Sequence, residues 1–216
     1  MPFVLTIAQR KGGAGKSTLA CQLAATFAED PNLTVAGIDT DEQCSFGGWG
    51  ALRAEYADVP PVPVIATSNY GLNGALRKLR DVDIIVIDTT PSVDAQVRQA
   101  IRAADLVLTP LQLSPFDLKA ATPTAEFIGR EGKPVKFVVN RTPPRARISD
   151  VIRAEIRNQN LPTAETELGN RAAYAESIAN GLGVVEFAPA SSPAVTEIRA
   201  LAQELAPTSR KNRRAA

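Results

Sequence analysis

One glycine-rich stretch, residues 9–18, constrains the fold of this chain more than any other feature; it reads Gln-Arg-Lys-Gly-Gly-Ala-Gly-Lys-Ser-Thr. It follows an apolar run, Phe3 to Ala8, that predicts a buried strand, and it precedes Leu19 to Ala28, where apolar and small residues recur at helical spacing. A strand, a glycine-rich turn and a helix form a phosphate-binding loop, because glycines let backbone N–H groups face an anion and the helix N-terminus adds unpaired donors. Lys16 is expected to reach the terminal phosphates, and the Ser17 hydroxyl is expected to ligate Mg²⁺.

The bulk properties fit a globular protein of one domain. The chain has 216 residues, of which 44% are hydrophobic and 22% charged, and its net charge of +1 gives no whole-molecule case for nucleic-acid binding. Cys21 and Cys44 lack metal-site spacing, no secretory signal precedes the loop, and no apolar run approaches the ~20 residues that span a bilayer. A cytoplasmic location is therefore predicted. Because the chain has no histidine, acid–base chemistry must come from carboxylates, lysines, metal or water.

Strands and helices alternate along the rest of the chain. Apolar runs predict further strands at 33–38, 62–66, 84–87, 106–108 and 135–139. Periodic segments predict helices at 72–79, 93–104, 114–127, 148–158, 170–179 and 193–205. This order predicts an α/β fold with a doubly wound, mostly parallel sheet flanked by helices. We expect a single P-loop domain over 1–206 and a basic, disordered tail over 207–216.

Polar residues follow several of the predicted strands. They are the loop at 9–18, the pair Asp39 and Asp41, Asp88, and Asn140 with Arg141. Ligands of such sheets bind beyond the carboxyl ends of the strands, so we expect these residues to converge. Asp88 ends a buried apolar run, as a carboxylate that holds the Mg²⁺ shell of a nucleotide does.

The loop resembles the deviant Walker A motif of the ParA/MinD family, whose pattern is K-G-G-x-G-K-[ST]. Arg10 stands where the standard motif has its first glycine, and Lys11 lies at the position of the family's added signature lysine. The resemblance implies that ATP joins two subunits and that Lys11 reaches the nucleotide of the partner. The implied nucleotide-binding residues of the loop are Lys11, Gly12, Gly13, Ala14, Gly15, Lys16, Ser17 and Thr18.

The acidic segments carry the same resemblance. Asp39-Thr40-Asp41-Glu42-Gln43 is similar to the family's D-x-D-P-Q segment, with Glu42 in place of proline, and Asp88-Thr89-Thr90-Pro91 resembles its switch II. The resemblance implies that Asp39 helps to order the Mg²⁺ site and that Asp41 positions the attacking water. The implied catalytic residues are thus Lys11, Lys16 and Asp41, and the implied metal residues are Ser17, Asp39 and Asp88. Asn140 is implied to contact adenine, and a loop from Pro189 to Pro193 is implied to close the base pocket.

The resemblance covers residues 3 to 205 and is nearest to small ParA-type (ParF-like) ATPases. It implies an Mg²⁺-dependent ATP hydrolase that dimerises with ATP, binds DNA without sequence specificity, and positions plasmid or chromosome DNA or a protein assembly such as a carboxysome. A ParB-like protein or cargo adaptor would stimulate hydrolysis. The ATP-bound protein would be associated with the nucleoid and would not bind membrane.

The DNA-binding hypothesis depends on local charge. Residues 141–157 contain five arginines against two acidic residues, and Arg145, Arg147, Arg153 and Arg157 are the candidate DNA contacts. In the helix predicted there, a buried stripe is expected from Ile148, Val151, Ile152 and Ile156. The tail adds Arg210, Lys211, Arg213 and Arg214. The alternative is a solvated arginine face with a solubilising tail.

Other functions on the same fold remain open. A MinD-like membrane-positioning ATPase needs a C-terminal amphipathic anchor, whereas the residues after Leu205 offer charge without an apolar face. A small-molecule ligase such as dethiobiotin synthetase shares the loop but generally lacks the signature lysine. Iron–sulfur carriers need clustered cysteines, and the related tyrosine kinases carry a Tyr-rich tail; this chain has neither. DNA retention that requires ATP would separate these classes.

Overall fold

The fold is a six-stranded parallel sheet covered by helices. In a computed structural model, which describes residues 1–91, 95–143 and 147–207, the strands have the order β3-β2-β4-β1-β5-β6. Their bounds are β1 Phe3–Ile7, β2 Val35–Asp39, β3 Val64–Ala66, β4 Ile84–Asp88, β5 Leu106–Leu111 and β6 Val135–Val139. Every neighbouring pair is parallel, which confirms the predicted fold class.

Helices connect and cover the strands. They are α1 Lys16–Ala28, α2 Ser45–Arg53, α3 Leu72–Lys78, α4 Ala95–Ala103, α5 Pro115–Arg130, α6 Arg147–Asn158, α7 Ala172–Ala179, α8 Val184–Phe187 and α9 Pro193–Leu205, and a 3₁₀ turn, Asn69–Gly71, precedes α3. The predicted start of α4 at Val93 and the tail from Thr208 lie outside the described residues. Within the described ranges, no helix has the length and apolar character needed to cross a membrane.

Burial on both faces explains the continuous apolar strands. Residues 84–87 are each at most 1% exposed, as expected for a central strand with helices above and below. The register places Asp39 at the end of β2 opposite Asp88 at the end of β4, and Asp88 is also opposite Ile7 of β1. The carboxyl ends of these three strands therefore form one edge, where the glycine-rich loop begins.

Strand β5 is longer than its apolar run predicts, because it continues through Pro110 to Leu111. The pairing of β1 with β5 ends at Leu108, so Pro110 lies where β5 has lost that neighbour. Its carbonyl oxygen instead accepts a hydrogen bond from Gln9 Nε2 at 2.9 Å. A residue without an N–H is tolerated at such a local edge.

Helix α2 is not predicted by the sequence pattern, because three of its nine residues are glycines, which disfavour helices. Packing overrides that preference. Phe46 and Trp49 are at most 2% exposed in the core, and a Cβ at Gly50 would lie 2.6 Å from Val64 Cγ2. The short helix α8 is likewise unpredicted, since its four residues are too few for a periodic signal.

The buried stripe of α6 differs from its prediction at one position. Ile152 and Ile156 are buried at 3% and 5% exposure, but Val151 is 64% exposed, so its assignment to the stripe is wrong. Successive residues of a helix point about 100° apart, so Val151 points away from the face on which the i, i+4 pair Ile152 and Ile156 packs against Phe137 and Val139 of the sheet. The side chain of Ile148 lies outside the described residues.

Candidate nucleotide-binding site

The glycine-rich loop joins β1 to α1, and two of its glycines have a left-handed backbone conformation. Gly13 has φ 72° and Gly15 has φ 94°, a region in which side chains are strained. A Cβ at Gly15 would lie 2.6 Å from Asn140 Nδ2, whereas a Cβ at Gly12 or Gly13 would meet nothing within 4 Å. The loop is thus fixed at its C-terminal end and open above its middle, where a phosphate chain needs room.

Residues from other strand ends hold the loop in place. Gln9 accepts the N–H of Arg10 at 2.8 Å while it donates to Pro110. Asn140 Nδ2 donates to the carbonyl of Ala14 at 3.0 Å, and Arg141 Nη1 donates to that of Gly13 at 3.0 Å. Asn140 therefore braces the loop in this structure, and its predicted contact with adenine stays a prediction.

Lys16 begins α1 and is only 6% exposed. Burial lowers the pKa of its ammonium group, and the charges of Asp88 and Asp41 act in the opposite direction. The predicted phosphate-binding lysine is therefore close enough to both predicted acids to interact with them. Two carboxylates beside one ammonium leave excess negative charge, which a cation bound together with the phosphates would offset.

Asp88 is the strongest candidate for holding that cation. It is fully buried, and in the described part of the chain no group makes a hydrogen bond of normal geometry to either carboxylate oxygen. Burial raises its pKa from 3.8 to about 7, the nearby hydroxyl of Ser17 and the charge of Lys16 lower it, and Asp39 and Asp41 raise it. Orphaned carboxylate oxygens next to a hydroxyl are the hard ligands that Mg²⁺ prefers, so Ser17 and Asp88 fit the predicted metal role.

Asp39 has a different environment from Asp88. Its carboxylate accepts the N–H of Asp41 and the N–H of Gly47, both at 2.9 Å, so it ties the turn after β2 to the start of α2. Burial raises its pKa, and these backbone donors oppose that shift. Asp39 thus shapes the segment that carries Asp41. Asp41 is half-buried, and its own carboxylate accepts the N–H of Gln43 at 3.0 Å.

Lys11, which was predicted to reach a partner subunit, makes an ion pair within its own chain. Its ammonium lies 2.9 Å from Asp117 Oδ2 of the same chain. Asp117 was not a predicted site residue, although the Ser-Pro-Phe-Asp sequence at 114–117 is typical of a capped helix start. Pro189 is exposed in the loop between α8 and α9, where its carbonyl accepts the N–H of Ser192 at 2.8 Å.

The arginines predicted to contact DNA differ in whether acidic side chains of the protein already bind them. Arg153 donates to Glu167 at 2.7 and 2.8 Å and to Asp150 at 3.1 Å, whereas Arg157 is exposed. Arg145 and the side chain of Arg147 lie outside the described residues. In the described ranges, no group of three or more acidic, cysteine or histidine side chains is arranged to hold a metal on its own.

A loop with glycines of positive φ joins β1 to a helix, and acids end the neighbouring strand β4 and the next strand, β2. This arrangement defines a P-loop nucleotide-binding protein. The sequence model of the CobQ/CobB/MinD/ParA nucleotide-binding domain matches residues 5–184, and the chain belongs to this family. The family includes the deviant Walker A ATPases that the motif resembles.

Two sequence relatives and one solved structure illustrate the likeness. The chain is 28% identical over 213 residues to "Maintenance of carboxysome distribution protein A" of Halothiobacillus neapolitanus, covering 95% of this chain and 97% of that protein. It is 28% identical over 158 residues to "Protein ParA" of Rhizobium radiobacter, covering 71% of this chain and 68% of that one. A plasmid partition protein of Borrelia burgdorferi bound to AMPPNP has the same fold, with a TM-score of 0.76, 20% identity, and coverage of 94% and 98%.

Proposed function

We propose that the chain is a ParA-like ATPase that dimerises with ATP, binds DNA without sequence specificity and positions cargo. One observation supports this function most directly: Lys11, Lys16, Asp41 and Asp88 are gathered at the carboxyl edge of the sheet around an open glycine loop. The sequence relatives distribute carboxysomes or carry the ParA name, so the cargo is a protein assembly or a DNA molecule.

Each residue at the carboxyl edge of the sheet would have a separate role in binding or hydrolysing ATP. Backbone N–H groups of residues 12–16 would bind the phosphates, Lys16 would neutralise the terminal ones, and Ser17 and Asp88 would hold Mg²⁺. Magnesium bound there would neutralise part of the negative charge of the phosphates. Asp39 keeps the backbone of Asp41 in place, and Asp41 would orient the attacking water.

Cycling between two states follows from this chemistry. ATP binding would stabilise a dimer, in which the DNA contacts of two subunits act together. Hydrolysis, stimulated by a ParB-like protein or cargo adaptor, would separate the subunits and release the DNA. We propose a cytoplasmic protein that is associated with the nucleoid while ATP is bound.

Fluorescence anisotropy on two unrelated DNA duplexes tests the proposal, with Mg-ATP, with Mg-ADP and with EDTA across a salt series. We expect retention with ATP alone, equal for the two duplexes, and a log K that falls by ~0.9 per neutralised phosphate per decade of salt. The control is the variant Lys16→Ala, which removes the positive charge that would neutralise the terminal phosphates. It should bind DNA weakly in every condition. Equal retention with ATP and ADP would instead favour a metabolic enzyme, such as a ligase, on this fold.

A further inference from the structure

The signature lysine is engaged within its own subunit. Lys11 Nζ lies 2.9 Å from Asp117 Oδ2; the lysine side chain is 50% exposed and the aspartate side chain is 0% exposed. One partner of this ion pair therefore reaches solvent, and the other is held inside the protein. The two residues are 106 positions apart, so the contact joins the glycine loop to the start of α5.

Asp117 is held rigidly by the N-terminal turn of α5. Ser114 caps this helix, since its Oγ accepts the N–H of Asp117 at 3.1 Å and its hydroxyl donates to Asp117 Oδ2. Asp117 Oδ1 is buried and has no hydrogen-bond partner in the part of the chain that the structure describes. A buried carboxylate that loses a cationic partner is destabilised, so Lys11 cannot leave Asp117 without cost.

The same turn presents an apolar side chain to solvent. Phe116 directly precedes Asp117 and is 82% exposed, although it is one of the largest apolar residues in the chain. Because Phe116 adjoins the residue that holds Lys11, its exposed ring lies where a partner that approaches Lys11 would make contact. In the proposed dimer, the molecule that approaches is a second copy of this chain, whose nucleotide would meet Lys11.

We propose that Asp117 is a positioning residue that retains Lys11 in the resting monomer and so sets the threshold for ATP-dependent dimerisation. This inference rests on the proposed function, because the dimer is where Lys11 would act in the partner subunit. Dimerisation must break the Lys11–Asp117 pair, and burial of Phe116 together with the partner's phosphates offsets that loss. Weakening the pair should therefore favour the dimer.

A double-mutant cycle tests the proposal by sedimentation velocity with Mg²⁺ and a non-hydrolysable ATP analogue. Asp117→Asn should lower the dimer Kd roughly three- to fivefold, the upper part of the range expected for a partly exposed ion pair. In a Lys11→Ala background, the same change should leave Kd within about twofold, because no pair remains to be broken. The control Glu204→Gln alters another lysine–carboxylate pair, with Lys136 at 2.8 Å, and should not change Kd.

Two results would overturn the proposal: a weaker dimer with Asp117→Asn, or an equal change in both backgrounds. A second measurement needs no dimer and no variant. Acetylation of lysines by an N-hydroxysuccinimide ester, followed by peptide mass spectrometry, should modify Lys11 several-fold more slowly than the exposed Lys119 of α5. Equal rates in the monomer would show that the pair does not form. A wild-type protein that stays monomeric with the ATP analogue would overturn the proposed function, while labelling would still decide on the pair.

Discussion

Asp39 and Asp88 lie side by side at the ends of β2 and β4, yet only Asp39 has its carboxylate satisfied by the protein. Two backbone N–H groups donate to Asp39, whereas neither buried oxygen of Asp88 has a hydrogen-bond partner of normal geometry among the described residues. One acid is thus used to build the site, and the other is kept free for a ligand. Keeping a buried carboxylate free has a cost in the absence of a cation.

The first prediction concerns that cost. Asp88→Asn should stabilise the nucleotide-free protein in EDTA at pH 8, because the neutral amide avoids burying a charge. The folded-state pKa of about 7 is above the ordinary value of 3.8, so the wild type loses stability as the pH rises between these values, and the loss is complete above pH 7. At about 1.4 kcal/mol per pKa unit, the gain at pH 8 is at most on the order of 4 kcal/mol.

Urea denaturation at several pH values measures this gain, which should shrink toward pH 4. Asp105→Asn is the matched control, since Asp105 is an exposed aspartate that accepts the N–H of Val4 at 2.8 Å. It should give no gain at any pH. Equal stability of Asp88→Asn and the wild type at pH 8 would contradict the assignment of Asp88 as a free buried carboxylate.

A second prediction separates binding from turnover. Asp41→Ala should bind ATP and form the ATP-dependent dimer but lose hydrolysis roughly 100-fold or more, because water positioning is needed only in the chemical step. Lys16→Ala should instead lose ATP binding itself. Isothermal titration with the ATP analogue and steady-state phosphate release distinguish the two variants. Normal hydrolysis by Asp41→Ala would show that another group orients the water.

The positions of the site residues could be predicted from the sequence, whereas the long-range contacts around them could not. Local pattern was sufficient to place the glycine loop, Lys16 and Asp88 in the fold, because each lies at a strand end or a helix start within a few residues of the pattern. The pair of Lys11 with Asp117 depends on the order of β1 and β5 in the sheet, which a sequence does not display. Helix α2 was missed because close packing, as at Gly50 against Val64, requires the residues that lower helix propensity.

A third prediction concerns the link between α2 and α8. Arg53 is 1% exposed, donates to Glu186 at 2.8 Å and to the carbonyl of Pro60, and lies 5.2 Å from the centroid of the Trp49 ring. Glu186→Gln should destabilise the protein by about 3–5 kcal/mol in urea denaturation, because it leaves the guanidinium buried without its counterion.

Glu126→Gln is the matched control for that variant, since Glu126 forms an exposed i, i+4 pair with Arg130. Its loss should cost about 0.5 kcal/mol or less. If the two glutamine variants were equally stable, the Arg53–Glu186 pair would contribute no more than a surface pair, and the other contacts of α2, such as the buried Phe46 and Trp49, would hold the helix.

The last prediction separates two arginines that lie one helical turn apart on α6. Arg157 is exposed and is the described candidate best placed for DNA, whereas Arg153 is bound to Glu167 and Asp150. Arg157→Glu should weaken ATP-dependent DNA binding and reduce the salt slope by ~0.9 per subunit for each phosphate that the variant no longer neutralises. Arg153→Gln should mainly lower stability, because Glu167 loses its bidentate partner.

Anisotropy across a salt series and thermal denaturation should be measured on both variants, because each reports on one of the two roles. Arg80→Glu makes the same change of charge at a 78%-exposed side chain between α3 and β4, and it should leave the slope of DNA binding unaltered. Deletion of residues 208–216 tests the basic tail separately and should also reduce the slope. A slope lowered equally by Arg80→Glu and Arg157→Glu would mean that net charge, and not the α6 surface, governs DNA binding. A slope lowered by Arg153→Gln at unchanged stability would mean that the Glu167 pair opens to let Arg153 reach the phosphates.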